Sequence, residues 1–304
     1  MELTNISFKK YRGRRLDPDQ LAGHSVTYWK DVWRRIRKNP TAVLSLAALM
    51  IILTLSVIGP IISGHDLSTI NPKRANMNPS AENWFGTDNL GRDLFTRVWY
   101  GARASVIVAL VCTLIQTVVG CLYGGIMAHF GGWVDEVMMR VIELITSMPT
   151  LLITILTMMV LGNGMTALLV AMSITSWCGT ARLIRGQIMQ LRESEYVLAA
   201  VALGASPFWV ILRHLIPNTF GLLMLTIATS IPDYIFTEAG LSFLGIGLQP
   251  PNTSLGVLIS IGQQTMDFFP IQLLFPALIL CVLVLAFNLL GDGLRDALDP
   301  RLRQ

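Results

Sequence analysis

Residues Leu144–Ala181, LITSMPTLLITILTMMVLGNGMTALLVAMSITSWCGTA, contain no Asp, Glu, Lys, Arg or His. The run is 38 residues long. One bilayer crossing takes about 20 apolar residues in a helix, so this stretch is too long for one crossing and long enough for two. Gly162-Asn163-Gly164 near its middle is a helix-breaking turn signal. The reading that follows is a pair of membrane spans joined by a tight turn.

Working outward, the same test picks out Asn39–Gly64, Ala104–Ala128, about Leu215 to Pro232, and Phe268–Gly291. With the two spans inside Leu144–Ala181 this makes six. The expected fold is an all-α membrane protein of six transmembrane helices. Composition agrees: the 304 residues are 53% hydrophobic and 14% charged, with mean hydropathy +0.57, whereas soluble domains average about 25% charged. The third span starts before its charge-free run. Asp135, Glu136, Arg140 and Glu143 fall on one helical face, with apolar residues on the rest, which suits a helix entering the membrane obliquely. Pro149 then interrupts it, and neighbouring helices can satisfy the freed carbonyl.

Lys and Arg set the expected orientation. Residues 1–38 hold ten, and the segments that share their side of the membrane bring the count to eighteen; the other side keeps Lys73, Arg74, Arg92, Arg97 and Arg103. By the positive-inside rule both termini are cytoplasmic. The net charge of +4 is then accounted for by topology and anionic lipid, with no nucleic-acid partner. The division expected is a basic cytoplasmic tail over 1–38, a membrane domain over 39–294, and a cytoplasmic tail over 295–304. Outer loops are expected at 65–103 and 239–267, and a cytoplasmic hairpin at 192–218. The first apolar run is too long for a cleaved signal core and reads as a retained span.

The hairpin carries the functional signal. Glu195–Asn218 reads EYVLAAVALGASPFWVILRHLIPN, a polar, helix-prone stretch between spans. Ser194 is placed to cap a first helix, and Glu195 suits its dipole. Gly204 can take positive φ and end that helix. Ser206 can cap a second helix with Pro207 at its first position. Ala199, Ala200 and Ala205 are small enough for another surface to approach the backbone. On mechanics alone, an ordinary cytoplasmic helical turn fits equally.

Catalytic and metal motifs are missing. A phosphate-binding loop needs Gly-Lys followed by Ser or Thr, and none of the five lysines, all at or before Lys73, follows a glycine. The four histidines are scattered, and Cys112, Cys121, Cys178 and Cys281 lie within spans without metal-ligand spacing. No metal, cofactor or enzymatic activity is expected on this chain. Inside the spans only Asp233 and Glu238 are ionisable, both near the outer end of the fifth, and intramembrane acids are candidates for a solute path.

The hairpin resembles the cytoplasmic EAA loop of binding-protein-dependent ABC importer permeases, through Ala199-Ala200, Gly204 and Ile216-Pro217. Glu195 is separated from the alanines by Tyr196-Val197-Leu198, a spacing similar to the peptide and nickel branch. Three further stretches resemble that branch: Asn83–Phe95, NWFGTDNLGRDLF; Leu241–Gly247 with Pro250-Pro251; and Leu290–Arg301, LGDGLRDALDPR. The long first outer loop and the C-terminal motif look like the C-type permease of oligopeptide and dipeptide importers. The resemblance implies the type I importer fold and a bacterial cell-membrane location. It implies a second homologous permease, two cytoplasmic ATPases that hold ATP and Mg, and an extracellular solute-binding protein, lipoprotein or periplasmic, that delivers peptide. Glu195, Ala199, Ala200, Gly204, Ala205, Ser206, Pro207 and Pro217 become the expected ATPase-coupling residues. Trp84, Arg92, Asp233 and Glu238 become candidates for the binding-protein contact or the pathway mouth. A nickel permease, or one for antimicrobial or glutathione-like peptides, stays open. A secondary transporter would need ionisable groups nearer the midplane, and a non-transport scaffold would leave the four motifs unexplained.

Overall fold

The computed structural model describes residues 28–211, 213, 218–249 and 252–298. The tail over 1–27, Ile216-Pro217, Pro250-Pro251 and Asp299–Arg301 lie outside the described residues. Eleven α-helices carry the described chain: α1 Tyr28–Lys38, α2 Pro40–Ser63, α3 Leu94–Phe130, α4 Gly132–Thr146, α5 Thr150–Leu161, α6 Met165–Arg192, α7 Glu195–Ala202, α8 Pro207–Val210, α9 Phe220–Phe243, α10 Leu255–Gln264 and α11 Pro270–Leu298.

Five of these are long and apolar enough to cross a membrane: α2, α3, α6, α9 and α11. The pair α4 and α5, bent by 79°, is apolar enough to make a sixth if taken together as one broken span. The expected oblique third helix is therefore a broken one. Pro149 sits at the break with no N–H to extend the ladder. The turn at Gly162-Asn163-Gly164 falls between α5 and α6 as its residues require.

Local chemistry sets the ends. Asn39 caps α2, its Oδ1 accepting from the N–H groups of Thr41 at 3.1 Å and Ala42 at 3.4 Å, with Pro40 at the first helical position. Asp93 caps α3, accepting from the Thr96 N–H at 2.8 Å. This places the helix start ten residues before Ala104, so the stretch 65–103 is loop only as far as Asp93. The charge-free window missed those turns because Arg97 and Arg103 lie in them. The fifth span likewise runs on through Asp233 and Glu238 to Phe243, beyond the expected end at Pro232. The region 239–267 contains α10, capped by Ser254, whose Oγ accepts from the Val257 N–H at 3.3 Å.

Among the described residues, α3 and α6 share the most extensive helix–helix contact. A Cβ on Gly120 would lie 2.7 Å from Thr180 Cβ, and one on Gly124 would strike the Ala181 carbonyl. Glycines four apart let two membrane helices touch backbone to side chain, where dispersion substitutes for a hydrophobic drive that lipid does not provide. At one end of the bundle, Val32 and Ile36 of α1 pack with Ala42 of α2 and Ala297 of α11. The loops before α3 and around α10 gather at the other end.

Candidate functional site

The hairpin begins on the bundle. Val197, Val210 and Ile211 are buried against Cys121 and Ala128 of α3, Ile184 and Ile188 of α6, and Leu223 of α9. Its opposite face is open: Leu203 is 89% exposed, and Tyr196, Leu198 and Trp209 are also exposed. The turn is built as its residues predict. Gly204 adopts φ +84°, and the Ala205 N–H donates to the Ala200 carbonyl at 3.1 Å, the six-residue closure that follows a left-handed residue after a helix. Ser206 Oγ accepts from the Trp209 N–H at 3.3 Å, and Pro207 opens α8. Ser194 does not cap: its hydroxyl donates backward to the Leu191 carbonyl, closing the end of α6. Glu195 sits in the first turn of α7 and is exposed, as is Ala199, while Ala200 and Ala205 are half-buried. Pro217 lies outside the described residues.

At the other end, the Asn83–Phe95 motif folds on itself. The Asp88 carboxylate accepts from the N–H groups of Leu90 and Arg92, both at 2.9 Å, from Arg92 Nε at 2.7 Å, and from the guanidinium of Arg97. Asn83 Nδ2 donates to Asp93 at 2.8 Å. Arg92 is 7% exposed and Arg97 1%. Arg92 is turned into the loop, its guanidinium on Asp88. Trp84 remains half exposed at 48%, edge-on to Phe95 with centroids 4.7 Å apart. Gln272 of α11 ties the loop down, donating to Asn76 Oδ1 at 2.9 Å and to the Thr87 carbonyl at 3.0 Å. Just after α2, the exposed Asp66 carboxyl is held below its ordinary range by hydrogen bonds from Ser68 and Thr69.

Asp233 and Glu238 part company. Asp233 is exposed on α9. Glu238 is fully buried and accepts from the hydroxyls of Ser105 at 2.5 Å and Ser242 at 2.7 Å. Serines thus hold this carboxyl between α3 and α9, whereas the Asp233 carboxyl stays open. A polar cluster that sequence reasoning missed lies deeper. Gln116 donates to Thr180 at 2.8 Å and Ser230 at 3.0 Å, and accepts from the Tyr234 hydroxyl at 2.6 Å. It links α3, α6 and α9; a lone Gln inside a charge-free run was the available signal. The Asp135–Arg185 pair, joining α4 to α6, was missed likewise, since Asp135 was read on a shared polar face. Among the described residues no His, Cys, Asp and Glu group could hold a metal ion.

Two family models match. Residues 120–304 match the binding-protein-dependent transport system inner membrane component. The chain belongs to this family. Residues 27–79 match the N-terminal transmembrane domain of oligopeptide transport permease C. The dipeptide transport system permease protein DppC of Bacillus subtilis (strain 168) is 43% identical over 289 residues, covering 95% of this chain and 90% of that one. The oligopeptide transport system permease protein OppC of the same strain is 40% identical over 288 residues, covering 95% and 94%. Among solved structures, the inward-facing MetNI methionine ABC transporter aligns with TM-score 0.53 at 16% identity, over 66% of this chain and 94% of that chain; at that identity the likeness is one of fold. This inner membrane component is thus a multi-pass permease subunit of an ABC transporter, and the expected fold class is met.

Proposed function

We propose that this permease subunit moves oligopeptides or dipeptides inward, driven by ATP hydrolysed on other chains. The observation that carries the mechanism is the two-faced hairpin. One face is keyed into α3, α6 and α9 through Val197, Val210 and Ile211; the other presents Leu198, Leu203 and Trp209 to solvent. Exposed apolar clusters of this kind mark protein docking sites. A cytoplasmic ATPase docked on the open face would pass its closure to three spans through the keyed face. ATP binding then favours one of two arrangements of the bundle, the hairpin being the differential contact such a switch needs.

The cargo reading rests on relatives named for dipeptide and oligopeptide transport. The full assembly in this reading has a second homologous permease, two ATPases that hold ATP and Mg, and an extracellular binding protein. This chain supplies no cofactor site and no catalytic group. The hairpin is cytoplasmic and the loops before α3 and around α10 face outward.

The test combines topology and transport. Single cysteines at Ser80 and Asn252, both exposed, should react with an impermeant maleimide in intact cells, and one at Ser206 should not. Thr253, in the same loop, is fully buried and is a poor reporter. Deleting the chain should abolish uptake of a labelled tripeptide, and restoring it should recover uptake. Labelling of Ser206 from outside, or unchanged uptake in the deletion, would sink the proposal.

A further inference from the structure

A cavity of about 160 Å³ opens near the outer end of the bundle, where α3, the start of α6 and the α9–α10 connection meet. That is on the order of ten times the space one water needs, enough for one amino-acid-sized group. Tyr100, Arg103, Ala104 and Ile107 line it from one face of α3, at the spacing of successive helical turns. Met165 and Leu248 complete an apolar floor, and Asn252 and Thr253 stand on the loop side.

Each polar side chain on it can donate a hydrogen bond. Arg103 is exposed and takes no part in the ion pairs among the described residues. This sets it apart from its neighbour Arg97, which is spent on Asp88. Thr253 is fully buried, and its hydroxyl has no partner; a buried donor left unpaired is disfavoured unless something comes to meet it. Asn252 and Tyr100 add further donors. Among the described residues no acidic side chain lines the cavity, and Glu238 is occupied by serines. A guanidinium with hydroxyl and amide donors over an apolar floor selects a carboxylate carried on an apolar body.

We infer that this cavity receives the C-terminal residue of the cargo peptide, its carboxylate on Arg103 and its side chain on Ile107, Met165 and Leu248. The inference rests on the peptide-transport reading, and it gives the permease a recognition step separate from that of the binding protein. An anionic lipid headgroup offers a related charge from another source.

Two measurements on the assembled transporter separate these. In nanodiscs of zwitterionic lipid, N-acetyl-leucine should give saturation-transfer NMR signals that N-acetyl-leucinamide does not, and Arg103→Gln should weaken its binding about tenfold while Arg103→Lys keeps most of it. In proteoliposomes with the binding protein present, the ratio of free-acid to C-terminally amidated tripeptide uptake should fall about tenfold in Arg103→Gln. Discrimination by the binding protein is common to both transporters and cancels from that comparison. Arg103 is exposed, so an unchanged melting temperature certifies the fold of both variants. Unchanged N-acetyl-leucine binding in Arg103→Gln, equal losses for both peptide forms, or complete displacement of N-acetyl-leucine by phosphatidylglycerol would overturn the inference. Absence of uptake of either peptide by the wild type would instead remove the cargo reading, and N-acetyl-leucine binding would then decide the cavity alone.

Discussion

The loop before α3 and the hairpin between α6 and α9 are both turns between spans, yet they are held in opposite ways. In the loop, Asp88 satisfies two arginines and two backbone N–H groups, and Gln272 ties the result to α11. The charges of Asp88, Arg92 and Arg97 face inward. In the hairpin one side is keyed into the bundle, and the largest side chains of the other, led by Leu203, face outward. Even their glycines differ. Gly91 has φ +73°, and a Cβ there would collide with the Asn71 carbonyl; Gly204 has φ +84° with nothing within 4 Å. The loop is finished by its own chain. The hairpin leaves a surface that another protein would complete.

The largest effect expected from breaking this contrast is at Asp88. Asp88→Ala strands two buried guanidiniums, and removing one partner of a buried pair typically costs about 3–5 kcal/mol. The purified permease in detergent should show a melting temperature lower by several degrees, with much reduced yield. A shift under about 2 °C, equivalent to about 1 kcal/mol or less, would mean the loop is not self-supporting. Gly91→Ala should follow, at about 2–4 kcal/mol, since φ strain and displacement of the Asn71 carbonyl add. A wild-type melting curve for it would remove the close approach from the account.

Much of this was legible from residue patterns, and the failures share a cause. The five long apolar helices and the bent pair could be located from runs without charge, and the hairpin turn from Gly204, Ser206 and Pro207. The misplaced helix starts and ends came from treating charge as an exclusion. Arg97 enters α3 because Asp88 neutralises it. Glu238 stays in α9 because Ser105 and Ser242 replace its water. That Arg92 turns to Asp88 was not legible, because a motif does not show which way a guanidinium points. The 79° bend between α4 and α5 was visible as Pro149 but not as an angle, which depends on what the two halves pack against.

Gly204→Val sharpens the comparison from the other side. With open space around the Cβ, only the left-handed backbone resists the substitution, at about 1–3 kcal/mol. The melting temperature should fall by a few degrees, less than for Gly91→Ala, where a collision adds to the strain. Transport-coupled ATP hydrolysis and peptide uptake should both drop, and co-purification of the ATPases should weaken. Normal values for all three would remove the hairpin's claim to be the coupling element, leaving an ordinary turn.

The smallest expected effect lies at Trp84, the largest side chain of the Asn83–Phe95 motif that the loop leaves exposed. Its edge-on contact with Phe95 is worth about 0.5–1.5 kcal/mol, so Trp84→Ala should lower the melting temperature by only a few degrees. The exposed part of the indole is the better measure of its role. Aromatic anchors at interface centres carry a large share of binding energy, so affinity of the purified binding protein for the reconstituted transporter should fall at least about tenfold, and Trp84→Phe should restore part of it. Arg92→Ala is the control: its guanidinium is turned to Asp88, so its loss should appear in stability and assembly. If Trp84→Ala behaves like Arg92→Ala, losing stability with binding-protein affinity intact, then the whole motif belongs to the loop's own fold and the docking contact lies elsewhere on the outer face.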